Sequence, residues 1–216
     1  MSQNAETPSS RAPRLRPVGS SALLLECADE RAVAAWHDDL VRRREAGEFA
    51  AAELVPAART VLIDGVPSVP SLAARIARWS LPLADTRGAG QLVEVPTTYD
   101  GPDLAEVAAL WGVSSDEVVA RHTGIEFRVA FCGFSPGFGY LTGLPSEWAV
   151  PRRPSPRPKI PAGSVGLAGA YSGVYPSESP GGWRLIGRTD LVLFDPEREP
   201  PALFVPGTVV RFVAHS

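Results

Sequence analysis

Apolar positions along the chain alternate between a period of two and a period of three to four, and the switches predict the elements. Ser21 to Cys27 (SALLLEC) reads as a strand. Asp29 to Arg44 reads as an amphipathic helix with Val33, Trp36, Leu40 and Val41 at helical spacing and Asp29 as its cap. Glu53 to Asp64 (ELVPAARTVLID) reads as a second strand, and Ser68 to Trp79 as a second helix with Leu72, Ile76 and Trp79 on one stripe. The amino-terminal half is thus predicted as a βαβα domain over residues 18–88, closing on the Pro- and Gly-bearing join LPLADTRGAG. Residues 1–17 are polar and Pro-bearing, which predicts a disordered tail.

The second half, residues 89–216, opens on a strand from Gln91 to Tyr99. Asp100-Gly101-Pro102 predicts a helix start with Pro in its first turn, where the missing N–H costs nothing, and Leu104, Val107, Ala108 and Trp111 form the buried stripe. Ser114 and Glu117 have capping-box spacing, so a short helix is expected to reach His122 and stop at Gly124. Ile125, Phe127, Val129 and Phe131 alternate with Glu126, Arg128, Ala130 and Cys132, the pattern of a half-buried strand. From Gly133 to Gly187 glycine and proline are dense between short apolar runs, which predicts a compact β-barrel with long loops. The fold class is α+β.

Composition narrows the chemistry. The chain has 216 residues, 44% hydrophobic and 21% charged, enough for a packed core. No run approaches the roughly 18 apolar residues of a membrane span, and the start lacks the apolar middle of a secretory signal, so a cytoplasmic protein with no membrane partner is expected. Cys27 and Cys132 sit in apolar runs and read as buried free thiols, with no metal site implied. A net charge of −3 gives no footprint for nucleic acid. One local excess stands out: PRRPSPRPK carries Arg152, Arg153, Arg157 and Lys159 with no acidic residue. It is either a dock for an anion or a solvated Pro-rich loop.

Two further motifs suggest a site. Gly133 to Leu141 (GFSPGFGYL) is too rich in glycine for a regular element and too aromatic for a linker. Phe138 and Tyr140 there form either a pocket wall or a plug for the barrel end. In PGGWRLIGRT, strand alternation places Arg184 and Arg188 on one face as a candidate anion clamp, the alternative being two surface arginines beside Glu178 or Asp190.

These segments, in order, resemble the subunit-1 proteins of the carboxyltransferase C/D-subdomain superfamily, which includes the 5-oxoprolinase B subunit, allophanate hydrolase subunit 1 and the sporulation kinase inhibitor KipI. The resemblance rests on YDGPDL, His122-Thr123, GFSPGFGYL, PRR followed by PRPKIPAGSV, Tyr175-Pro176 and PGGWRLIGRT. It implies a cyclophilin-like β-barrel after the amino-terminal domain, and a larger subunit-2 partner chain. It also implies ATP-dependent hydrolysis of a small amide, 5-oxoproline or allophanate; a KipI-like protein inhibitor is the alternative from another class. No Walker motif is present, so ATP follows from the resemblance alone. Within the matched motifs His122 is the candidate catalytic residue, although a helix-terminal histidine also serves as a benign cap. Phe138, Tyr140, Arg157, Lys159, Arg184 and Arg188 are the candidate substrate- and anion-binding residues, with Arg157, Lys159 and Arg188 expected in one anion-binding region.

Overall fold

Asp29 ends the first strand region and starts the first helix by accepting from the Ala32 amide at 2.8 Å. The geometry is that of a computed structural model, which describes residues 12–80 and 90–215. The described residues form two units, one up to residue 80 and one from residue 90 on. The expected join at 81–89 and the first eleven residues of the expected tail lie outside the described residues.

The first unit holds strands β1 (Arg14–Val18) and β2 (Ala22–Glu26), helix α1 (Glu30–Glu45), strands β3 (Glu53–Pro56) and β4 (Thr60–Asp64), and helix α2 (Val69–Ile76). Its sheet is antiparallel in the order β1-β2-β4-β3. Leu23 and Leu25 of β2 and Val61 and Ile63 of β4 meet Val33, Trp36 and Leu40 of α1 and Leu72 and Ile76 of α2 in one core. The order is therefore ββαββα, not βαβα. Two predictions fail for identifiable reasons. Arg14–Val18, expected in the tail, pairs with β2 along its whole length, because Leu15 turns into the core while Arg14 and Arg16 reach Glu26. ELVPAARTVLID is a hairpin: Pro56 ends one strand and the Ala57 amide donates to the Thr60 carbonyl at 2.8 Å, a turn carrying no glycine or asparagine to announce it.

The second unit begins with β5 (Leu92–Thr97), α3 (Leu104–Trp111) and α4 (Ser115–Thr123). Strands β6 (Phe127–Cys132), β7 (Gly139–Thr142), β8 (Arg157–Ile160), β9 (Ser164–Ala168), β10 (Tyr171–Val174), β11 (Ser179–Gly181), β12 (Arg184–Arg188) and β13 (Val209–Ala214) follow. Seven strands form one sheet in the order β12-β9-β10-β7-β6-β13-β5, with β13 and β5 parallel, and β8 and β11 form a separate ribbon. Thr98 and Arg188 then exchange backbone hydrogen bonds of 2.8 Å each, joining the two outermost strands of the sheet just past their ends, so the sheet is a nearly closed barrel. Inside it Val95, Phe127, Leu141, Val165, Val174 and Ile186 are fully buried, each contributing roughly 1.5–3 kcal/mol.

α4 starts as its spacing predicts, with Ser114 Oγ accepting from the Glu117 amide at 3.2 Å. Glu117, however, turns forward to Arg121 at 2.9 Å rather than back to the cap. α3 begins later than expected: Pro102 precedes it, and Asp103 occupies the cap position without making a capping bond. Among the described residues no helix is long and apolar enough to cross a membrane.

Candidate functional site

The GFSPGFGYL loop joins β6 to β7 through two successive turns. The Ser135 amide donates to the Gly133 carbonyl at 2.8 Å around Phe134, whose φ is +68°, making a γ-turn of the strained kind. Pro136 and Gly137, the latter at φ +82°, then form a β-turn closed by the Phe138 amide on the Ser135 carbonyl at 3.0 Å. The Gly133 amide is used as well, by the Phe138 carbonyl. Three of the loop's amides, those of Gly133, Ser135 and Phe138, are thus committed within the loop itself.

What the loop builds is an aromatic cluster. Phe138 is buried and makes edge contacts with Tyr140, Tyr175 and Trp183 at ring separations of 5.1, 5.4 and 5.3 Å. Tyr140 also stacks on Phe131 at 4.4 Å. Phe134 remains 57% exposed while touching Phe138 and Tyr175 edge-on. Burial pushes the Tyr175 phenol up to about 12, so it stays protonated at neutral pH. Phe138 and Tyr140 thus share one packed aromatic cluster, with Phe138 buried in it and Tyr175, Trp183 and Phe131 as members the motif did not single out.

The cationic arm lies next to this cluster, and its charges are mostly spoken for. Asp103 is 3% exposed and accepts from Arg157 Nη1 and Nη2 at 2.8 Å each, from Arg153 Nη1 at 3.0 Å and from the Leu185 amide at 2.7 Å. Burial alone would raise its carboxyl; the Arg157 bond, the Leu185 amide and the Arg157 and Arg153 charges outweigh it and hold the group below the usual carboxylate range. Arg184 is buried, pairs with Glu106 of α3 and donates from Nε to the Pro151 carbonyl at 2.9 Å. Asp103 and Glu106 are the residues that sequence reasoning missed. Both stand in a helix start, where acidic residues are ordinary, and only YDGPDL as a motif hinted at more. Arg152, exposed and close enough to Tyr175 to favour its ionised form, has no carboxylate partner among the described residues.

The expected single anion-binding region is not assembled from free cations. Arg157 holds Asp103, Lys159 holds Glu178 at 2.8 Å on the surface of the β8–β11 ribbon, and Arg188 holds Asp100 at 2.9 Å. Arg184 and Arg188 do not act as a pair on one face either, because a register shift between Leu185 and Gly187 interrupts the alternation on which that reading depended.

His122 is in the last turn of α4, as predicted, but its side chain is fully buried. Tyr99 Oη lies 2.7 Å from Nδ1, Ser172 Oγ lies 3.0 Å from Nε2, and Phe127 and Phe212 pack against the ring. Burial lowers its pKa to about 3, so it is neutral. Tyr99, itself pushed up by burial, donates to Nδ1; Nε2–H then donates to Ser172, which lies 3.5 Å from the Gly166 carbonyl. The contact with a serine resembles a nucleophile–base pair, yet it is sealed in the core, so His122 meets no substrate in this conformation.

Comparison with known proteins agrees with this architecture. Residues 13–204 match the family model for the carboxyltransferase domain, subdomain C and D. The chain is 49% identical over 142 residues to the 5-oxoprolinase B subunit of Escherichia coli O157:H7, covering 64% of this chain and 65% of that protein. It is 51% identical over 126 residues to the 5-oxoprolinase B subunit of Bacillus subtilis (strain 168), covering 57% and 52%. The matched part therefore spans between about half and two thirds of these curated relatives. The crystal structure of TTHA0988 superposes with a TM-score of 0.74 at 33% identity, over 94% of this chain and 40% of that one. With the ββαββα unit, the nearly closed barrel and the ordered motifs all in place, the chain belongs to the family of carboxyltransferase domains of subdomain C and D.

Proposed function

We propose that this chain is the B subunit of a 5-oxoprolinase, which with a larger subunit-2 partner opens the lactam of 5-oxoproline to glutamate in an ATP-dependent reaction. The observation that carries the reading is the near-half identity to the 5-oxoprolinase B subunits of two bacteria. The site geometry supports a share in a composite site rather than independent catalysis. The serine–histidine contact is sealed, and Arg153 and Arg157 of the arm are paired with Asp103, with Glu106 also near Arg153. The chain's part is then to present the rigid aromatic cluster and the remaining cation Arg152 to the partner, which supplies the nucleotide site. ATP bound by the partner would supply the driving force, its hydrolysis to ADP and phosphate accompanying the addition of water across the lactam C–N bond to give glutamate.

The test is reconstitution. Co-purified with its cognate larger partner, the chain is expected to release glutamate from 5-oxoproline only when ATP is present, with allophanate as the control substrate, and to be inactive alone. Release of ammonia from allophanate in place of glutamate from 5-oxoproline, or turnover by the isolated chain, would overturn the reading.

A further inference from the structure

The arm between Val150 and β8 carries more positive charge than its surroundings take up. Arg153, Arg157 and Arg184 share two carboxylates, those of Asp103 and Glu106. Arg152 adds a fourth guanidinium, with no carboxylate partner among the described residues, while Lys159 is balanced by Glu178. Two positive charges are left over. Donors exceed acceptors as well, since Arg153 Nε is buried and has no hydrogen-bond partner among the described residues.

In the middle of this arm stands Ser155, exposed and flanked by Pro154 and Pro156. The chain is held before it by the Arg153 amide, which donates to the Gly182 carbonyl at 2.8 Å, and after it by Arg157, where β8 begins. Between these anchors the two prolines have no N–H to give, and among the described residues Ser155 makes no hydrogen bond. The result is a short exposed bend between two fixed points, with arginines two and three residues before the serine and another two residues after it. Arg152 stays beside the bend. Its Nε and the Pro156 Cα each lie 3.9 Å from the position that a Cβ on Gly182 would take, so they are at most twice 3.9 Å apart, and Ser155 directly precedes Pro156.

We propose that Ser155 is a phosphorylation site, modified by a protein kinase whose substrate groove presents carboxylates to Arg152 and Arg153. The bond from Ser155 Oγ to the γ-phosphorus of ATP forms as the bond from that phosphorus to the β–γ bridging oxygen breaks; the hydroxyl proton passes to the kinase's base and ADP leaves. The phosphoserine carries about −1.5 to −2 charges at pH 7, which matches the two left over, and Arg152 is within reach to grip it. Modification thus turns a cationic face into a nearly neutral one. Neither the site nor its charge balance depends on the function proposed above.

The experiment incubates the full chain with ATP and a serine kinase selective for arginine two and three residues before its target, and locates the phosphate by mass spectrometry. One phosphoryl group per chain is expected, on the peptide that holds Ser155, and none on Ser155→Ala. The same phosphopeptide is expected in chain isolated from the cells that make it. Capture by the arginine is read by phosphorus NMR: the second ionisation of the phosphoserine, ordinarily at about 6, is expected at about 5, a tenfold shift, and Arg152→Gln should return it at least half way. No incorporation, phosphate retained by Ser155→Ala, unmodified chain from the native cells, or an ionisation that Arg152→Gln leaves unmoved would overturn the proposal.

Discussion

Arg157 holds Asp103 with both terminal nitrogens, each 2.8 Å from a different carboxylate oxygen. This bidentate pair ties the β8 ribbon to the start of α3, and the Leu185 amide on the same carboxylate ties in β12. Three segments distant in sequence are fixed through one buried side chain.

Asp103→Asn removes the charge while keeping the shape, and leaves Arg157 without its carboxylate partner and Arg153 with only Glu106 at 3.9 Å. A loss of about 3 kcal/mol is expected in urea unfolding at pH 7. Because the folded-state pKa is depressed, the contribution is complete above the ordinary aspartate value of about 4 and fades as pH falls through the lower folded value. The difference between natural chain and variant should therefore shrink at pH 3. An equal loss at both pH values would show that charge is not the source.

His122 gives a slope of the same sign in a different window. Its pKa falls from 6.5 to about 3 on folding, so the unfolded chain takes up a proton that the folded chain refuses. Stability is complete above pH 6.5 and declines by about 1.4 kcal/mol per pH unit as pH falls toward 3. His122→Gln, neutral throughout, should lose this slope between pH 6.5 and 5, and the natural imidazole should remain neutral by NMR at pH 5. A charged imidazole at that pH would contradict the sealed core position.

Gly101 faces the backbone of β12 where no side chain fits, since an added Cβ would sit 2.3 Å from the Ile186 carbonyl carbon and 2.5 Å from the Gly187 nitrogen. Gly101→Ala is expected to cost about 3 kcal/mol through displacement of α3 or the strand. An unchanged melting temperature would refute this.

Phe134 is the opposite case. Its φ of +68° is unfavourable for a bulky residue, and more than half of the side chain is exposed. Phe134→Asn, a residue that tolerates this conformation, should leave stability within about 1 kcal/mol or raise it. A fall of more than about 2 kcal/mol would mean that the edge contacts with Phe138 and Tyr175 outweigh the strain.

Much was legible in order of appearance because its causes are local. The caps at Asp29 and Ser114 and the ends of α4 depend on neighbours a few residues away, and they stand as read, whereas the alternation expected over 125–132 holds only for Phe127 to Val129, because a register shift against β7 interrupts it before Phe131. The family resemblance was legible for a related reason: YDGPDL, GFSPGFGYL and PGGWRLIGRT keep their spacing whatever the chain does in between. The misreadings share a different character. The β3–β4 hairpin lacks a turn residue, and the β12 bulge is imposed by pairing with β9.

The sequence by itself determined the residue types at the site: an aromatic, glycine-shaped loop, an arm of arginines and a histidine at a helix end. Only the tertiary structure decided what those residues face. Ionic partners such as Asp103 for Arg157, lying 54 positions apart, meet through folding that no local pattern encodes. Burial decided the rest, for an imidazole in water near pH 7 is a proton carrier, while the same group walled in by Tyr99, Phe127 and Phe212 is a neutral part of the core.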